Sequence, residues 1–502
     1  MSESVLVVGA GIAGLCTALA IGPTGRQVTL IERDAAPPEG DADAAFRHWK
    51  RTGVGHLRQS HAFLARLSLL LRADHPKLLA ELAAFGVREL TFEAMLSESQ
   101  RRGYQPEPAD TELTIITSRR TTLELVMRRY VETLDNVTLR TDVFARRLIT
   151  ETAEDGSISV VGLVGETPEG PVTLHADVVV DATGKGGDFV CQLTAEGARV
   201  HETSESAGIL YFTRHYRLKP GCDEPPRVGN PPPNGDLGFL KFGVFPADNG
   251  CFSITMCAPE IEYEIRKAIV KPEVFQAMTE MLPGLRPWTD PERSEPTTKV
   301  FGMGDLQARW RDLVVDGRPA ARGYFAIGDN LIRTNPLYGR GCSFAAVAAY
   351  QLRDVLDRSD DPVARALAYD RSIRDELLPF YTLMNRQDRA AMRRTRAALT
   401  PGHRPSLKSR LARSFAEDAV AIALRYDTNL LRQGMRGFHM LEHPEAWIKR
   451  PANMARILMY WARGKKRNAD AYPPKPGPER EEMMHSLGLD PQADVTLAMQ
   501  VA

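Results

Sequence analysis

The chain offers no net charge: its 502 residues carry 64 Lys and Arg against 64 Asp and Glu. That balance argues against a dedicated nucleic-acid binder, which would present a basic surplus. Cysteine is scarce. There are six, none in a C-x-x-C pair and none at a zinc-like spacing from histidine. A disulfide scaffold and a metal site are therefore set aside, and the thiols read as reduced and mostly buried. No apolar run approaches the roughly 20 residues of a spanning helix. The opening residues, MSESVLVVG, lack the basic region and cleavage site of a signal peptide. A cytoplasmic location is expected. Repeats and low-complexity tracts are also missing. What is present, 43% hydrophobic and 25% charged residues, excludes a disordered chain and suffices for one large composite domain or two to three ordinary ones.

Residues 5–8 are a short aliphatic run that reads as a buried parallel strand. It stops at Gly9-Ala-Gly11-Ile-Ala-Gly14 and is followed by a helical pattern. A second strand, 27–31, ends at Glu32, with Arg33 beside it. This is a complete strand, glycine turn, helix, strand, acid unit. Gly9 permits the tight turn, Gly11 the approach of a pyrophosphate, and Gly14 close packing of helix on sheet. Glu32 falls where a carboxylate accepts from ribose hydroxyls, which favours FAD or NAD over NADP.

Two distant segments repeat the strand-end pattern. Residues 176–180 lead into Asp181-Ala-Thr-Gly184. Residues 323–327 lead into Gly328-Asp329, then 330–343 (NLIRTNPLYGRGCS) and a helix of small residues. This layout resembles the para-hydroxybenzoate-hydroxylase class of FAD-dependent monooxygenases. Its superfamily also holds squalene and polyene epoxidases, flavin-dependent halogenases and geranylgeranyl reductases. The resemblance covers the FAD-binding parts of 1–360. It implies an α/β fold, with a Rossmann-like FAD-binding domain at 1–195 and 300–360. An antiparallel-sheet substrate domain would span 196–299, and a helical C-terminal region with a short tail 361–502.

The resemblance also implies roles. Asp329, after Gly328, would accept from the ribityl chain. Pro336, Tyr338, Gly339, Gly341 and Cys342 would pass beside the flavin ring, with the helix from Gly341 adding its dipole. Asp181 and Gly184 would lie near the pyrophosphate and a transient NAD(P)H, although Asp188 replaces the family's usual Ser or Arg. Arg58, Gln59 and His61, in the segment before a helix read from Ala62 onward, are candidates for flavin contact, with His56 close by. Arg120, in a Ser118-Arg-Arg120-Thr-Thr-Leu-Glu124 run similar to the family's S-R-x-x-L-E pattern, would lie by the FAD phosphates or ribityl chain. Arg58, His61, Pro336, Tyr338 and Gly339 are the expected catalytic positions.

The middle of the chain alternates as antiparallel strands over 209–217, 238–246 and 251–257. Arg214, Tyr216, Phe242 and Phe245 there are pocket candidates or plain sheet core. Pro-rich stretches punctuate the chain at 225–233, read as a loop, and 473–478, read as a linker to the tail. Residues 386–470 hold 19 basic and 7 acidic residues, a surplus of 12. Helical patterns there cover 384–399, 407–425 and 451–467. In the last, Met454, Ile457, Leu458 and Trp461 share a spacing, and a basic cluster follows. Two readings stand: a packed amphipathic helix with a solvated end, or peripheral membrane contact through this basic region. No aromatic-interleaved platform for nucleic acid accompanies the charge.

The expected activity is therefore FAD-dependent monooxygenation through a flavin hydroperoxide. One oxygen atom from O2 would enter an aromatic ring or alkene of a small lipophilic or aromatic substrate. No second strand-glycine-helix unit is present, so NAD(P)H would bind transiently, or a separate flavin reductase would supply reduced flavin. The alternatives are halogenation, double-bond reduction of the geranylgeranyl-reductase kind, and flavin binding without turnover. The halogenase W-x-W-x-I-P segment is missing. Lys50 could imitate a halogenase lysine, but Trp49-Lys50-Arg51 reads as a surface run.

Overall fold

A computed structural model describes residues 2–226 and 231–500. Part of the proline-rich loop, 227–230, lies outside the described residues. The chain divides into two compact units, 1–87 with 118–206 and 307–384, and 88–117 with 207–306 and 385–502.

The first unit is built on a five-stranded parallel sheet. Its strands are β1 (Ser4–Val8), β2 (Gln27–Ile31), β3 (Val137–Arg140), β4 (Val178–Asp181) and β5 (Tyr324–Ala326), in the order β5-β4-β1-β2-β3. Continuous aliphatic runs suit it, because a parallel sheet covered on both faces leaves no polar side. Val5, Leu6, Val7 and Val8 are all buried. Register aligns the strand ends: Val8 pairs with Asp181, and Asp181 with Ala326. Helix α1 (Ile12–Ile21) follows β1, α2 (Arg120–Val131) precedes β3, and α3 (Gly341–Arg358) follows β5. Small residues on α1 and α3 let these two helices pack together in the core. An antiparallel three-stranded sheet, Phe144–Thr152, Ile158–Thr167 and Gly170–His175, lies between β3 and β4 in sequence. The helix read from Ala62 onward begins at Ala65.

The second unit carries a six-stranded antiparallel sheet whose central pair is Ile209–Leu218 and Cys251–Pro259. Tyr216 and Phe242 belong to its core, with Phe252, Phe275 and Trp288. They are sheet core rather than pocket lining. Arg214 donates to the carbonyls of Thr298 and Pro272. Met483 and Met484, from beyond the proline-rich stretch at 473–478, are fully buried in that same core. The tail is thus part of the unit's packing.

The C-terminal helices form a separate cluster around Ala419, Ile422, Ala423, Leu430, Ile457 and Tyr460. The 384–399 pattern is the end of one long helix, Pro362–Leu399. The segment Pro451–Arg467 is helical with a kink at Gly464, whose φ is +72°. Its buried residues are Asn453, Ile457 and Tyr460, and Leu458 is exposed rather than inward. The spacing was right for a helix, but the sector it buries is rotated toward Tyr460. Arg432 anchors its helix to the 88–117 excursion through Asp110.

Candidate functional site

Three glycine turns separated by hundreds of residues meet at the carboxyl ends of β1, β4 and β5. A Cβ on Gly9, whose φ is +105°, would stand 2.7 Å from the Ala182 carbonyl after β4. A Cβ on Gly328, φ +66°, would stand 2.8 Å from the Ala13 side chain on α1. Gly14 is packed more tightly still, since its Cβ would fall 1.8 Å from the Gly9 oxygen. Gly11 differs. Nothing lies within 4 Å of the Cβ it lacks. Protein packing therefore explains Gly9, Gly14 and Gly328, whereas Gly11 faces open space at the N-terminus of α1. Such a terminus, with free N–H groups and a positive dipole, accommodates a pyrophosphate.

Glu32 is buried and turned into this cradle. Its carboxylate accepts from the Ala10 N–H at 2.9 Å and the Asp34 N–H at 3.0 Å. Arg51 reaches the same carboxylate at 2.9 Å, Asp34 at 3.3 Å and Glu124 at 3.1 Å. Its guanidinium also lies 4.9 Å from the Trp49 ring centre. The surface run expected at 49–51 is thus corrected: Trp49 and Arg51 are buried and only Lys50 is exposed. Three carboxylates around one guanidinium drive that burial, since a buried charge needs partners. Arg33 stays exposed, with its guanidinium against Gly53.

Glu124 also binds Arg120, whose Nε lies 2.6 Å from the second carboxylate oxygen. Arg120 in turn meets Nε2 of His56 and, at 3.2 Å, Nε2 of His61. Burial and the neighbouring Arg120 hold His56 well below the usual imidazole range, so it is neutral at pH 7. The His61 Nδ1 contacts the Gln59 carbonyl at 2.9 Å. Burial pushes the Cys342 thiol, at the start of α3, up to about 11 against the pull of Arg120. The Arg58 guanidinium donates to the Phe46 carbonyl at 2.9 Å.

Asp329 and Asp181, both read as strand-end acids, differ in use. Asp181 is fully buried and accepts from the Thr183 N–H at 3.1 Å, the Thr183 hydroxyl at 2.5 Å and Tyr324 at 2.7 Å. It shapes the turn from within. The Asp329 side chain makes no hydrogen bond among the described residues. Burial raises its pKa, while Arg333, Arg120 and Arg309 oppose the rise. A desolvated carboxylate with spare acceptor capacity suits a polyol donor. Gly184, φ +70°, meets nothing within 4 Å and stands open.

Residues Pro336–Tyr338 form a short 3-10 turn capped by the Asn335 side chain. Gly339 ends it in the left-handed conformation, φ +64°, where a Cβ would meet the Ala62 side chain at 3.0 Å. Gly341 then opens α3. Pro336 and Leu337 are exposed, whereas Arg340 is buried 5.2 Å from the Phe380 ring centre, and burial draws its pKa down to about 10.

Gly9, Gly11, Gly14, Glu32, Gly328 and Asp329 therefore come together, as do Gln59, His61, Arg120 and Cys342. Sequence reasoning missed Arg51, which no motif marks. It quoted Glu124 only as part of a pattern. Among the described residues, no cluster of three or more His, Cys, Asp or Glu could hold a metal ion.

Comparison with known proteins agrees with this geometry. Residues 4–354 match the family described as FAD dependent oxidoreductase. Protein Rv3254 of Mycobacterium tuberculosis is 27% identical over 383 residues, covering 73% of this chain and 75% of that protein. Among solved structures, the flavin-dependent brominase Bmp2 superposes with a TM-score of 0.58 at 15% identity, covering 92% of this chain and all of that one. PqsL of Pseudomonas aeruginosa, described as a probable FAD-dependent monooxygenase, gives 0.54 at 17% identity, covering 78% of this chain and 98% of its own. PqsL has also been solved in complex with 2-aminobenzoylacetate. At these identities the likeness is one of fold.

Proposed function

The chain belongs to the FAD-dependent oxidoreductase family, and on that premise we propose that it is a monooxygenase placing one oxygen atom from O2 on an aromatic or alkene carbon of a small lipophilic molecule. The observation that carries this reading is the 336–341 loop: a capped turn, a left-handed Gly339 and a helix opened by Gly341. Backbone N–H groups and a helix dipole there favour negative charge.

The cradle fits FAD. Gly11 has room for a pyrophosphate. Glu32, with lone pairs beyond those it already uses, would hold the adenosine ribose, and Asp329 the ribityl hydroxyls. Bound FAD supplies two-electron redox chemistry and activation of O2. The chain's own residues orient and exclude water. Arg120 keeps a fixed positive charge beside His56 and His61, and the neutral His56 can accept or donate a hydrogen bond without adding charge. NAD(P)H is the proposed reductant, bound transiently, with a separate flavin reductase as the other source. An aromatic substrate agrees with the 2-aminobenzoylacetate bound by PqsL.

Halogenation is the competing reading, because halogenases share the fold. Lys50, the lysine that could serve it, is exposed, which favours oxygenation. The deciding experiment is NAD(P)H consumption and product mass over a panel of phenols and polyenes, with bromide present. A gain of one oxygen supports the proposal. Bromine incorporation, or a gain of two hydrogens without O2, replaces it.

A further inference from the structure

Helix Pro451–Arg467 bears apolar residues on two opposite faces. The inner face buries Ile457 and Tyr460 in the C-terminal core. On the other side Ala452, Ala455, Leu458, Met459 and Ala462 are all exposed, with Leu458 at 44% and Met459 at 43%. At about 100° per residue these five fill one sector roughly 120° wide, bordered along one edge by Arg456 and Arg463. A helix packed on a protein core normally turns charged or polar residues to that side. This one contains no Asp or Glu, and beyond a kink at Gly464, φ +72°, come Lys465, Lys466 and Arg467.

The neighbouring helix repeats the pattern. On Leu407–Ser414, Leu407 is 81% exposed and Leu411, one turn on, 60%, beside Lys408, Arg410 and Arg413. The two helices meet where the Trp461 ring N–H donates to the Ser414 hydroxyl at 3.2 Å. Arg456, Lys465 and Arg413 pair with Asp427, Asp418 and Glu417, whereas Lys466 and Arg467 are exposed and make no ion pair among the described residues.

We propose that this face docks on the surface of an anionic lipid bilayer. Exposed alkyl side chains would enter the headgroup boundary, while Lys466 and Arg467 reach lipid phosphates. Charge complementarity selects this occupant. A second copy of the chain would bring one basic face against another. A single-stranded nucleic acid would need stacking rings, which the alkyl sector of Pro451–Arg467 lacks, and a duplex would leave that sector in water. The proposal is independent of the reaction assigned to the flavin site.

The test is co-sedimentation of the full-length, flavin-loaded protein with two kinds of vesicle, phosphatidylcholine alone and phosphatidylcholine mixed with phosphatidylglycerol. The protein should sediment only with the mixed vesicles, and added salt should weaken binding. Lys466→Gln with Arg467→Gln should weaken it about thirty-fold, at roughly fivefold per basic residue. Leu458→Ser with Met459→Ser, at exposed positions, should weaken it about tenfold or more, with circular dichroism and flavin content unchanged. Absence of binding to the mixed vesicles overturns the proposal. So does wild-type affinity in both double variants, or retention by duplex DNA in preference to vesicles.

Discussion

In the nucleotide cradle Arg51 is buried and meets three carboxylates. In the C-terminal helices Lys466 and Arg467 are exposed and pair with none among the described residues. The two regions belong to different units and use positive charge in different ways. A guanidinium withdrawn from water must recover its solvation from fixed partners, and three carboxylates provide it for Arg51. An exposed ammonium keeps its water and can wait for an external anion. Overall neutrality conceals this contrast, because the surplus of 12 over residues 386–470 is balanced elsewhere in the chain.

The largest effect that would sharpen the contrast is expected in the cradle. Arg51→Ala leaves Glu32, Asp34 and Glu124 facing one another without their cation. A loss of about 3–5 kcal/mol is expected, read as a lowered denaturation midpoint. A change under about 1 kcal/mol would show that the buried network is not what holds this region. Gly11→Val should instead spare the fold and abolish flavin retention, because the added atoms enter open space meant for phosphate. Normal circular dichroism with a colourless protein is the expected pair of readings; full flavin content would show that the cradle is misassigned.

Asp329→Asn should weaken FAD binding about tenfold through loss of a charged acceptor, measured by flavin fluorescence titration. Unchanged affinity would remove Asp329 from the site. The second unit contributes a smaller, pH-dependent effect. Burial raises Glu262 to about 7, Arg480 opposes the rise and Asp494 adds to it. The folded state therefore binds the Glu262 proton more tightly than the unfolded chain does. The resulting stability is complete below the ordinary glutamate range and is lost as pH rises through about 7. Thermal midpoints at pH 5 and 8 should differ more in the wild type than in Glu262→Gln; equal differences would dismiss the coupling. At the bottom of the scale, Arg413→Ala breaks an exposed pair with Glu417 and should cost no more than about 0.5 kcal/mol.

Much of the first unit could be read along the chain. Residues 5–8 and 27–31 are contiguous apolar runs ended by glycine or acid, and each predicts its own strand. The 118–124 run, with its Glu124, opens the helix Arg120–Val131. Arg51 carried no such signal, because its burial depends on carboxylates 17, 19 and 73 residues away in sequence. Arg58 illustrates the same dependence. Its local context resembles a flavin-contacting segment, and in the fold its guanidinium donates to the carbonyl of Phe46, 12 residues earlier. In the C-terminal helices periodicity located Pro451–Arg467 but not its kink at Gly464. It could not say which apolar sector is buried, because that helix has apolar residues on both sides.

The sequence by itself determined the first strands, the glycine turns and a dinucleotide with a free ribose hydroxyl, because these depend on contiguous residues and backbone geometry, while the choice of FAD rested on the family resemblance. The tertiary structure decided which acids remain open to a ligand. Asp181 and Asp329 both end a strand beside a glycine turn, and nothing local distinguishes them. Tyr324 and Thr183 occupy the first and leave the second without a hydrogen bond among the described residues. The partners a carboxylate already has can be known only once the strands lie side by side.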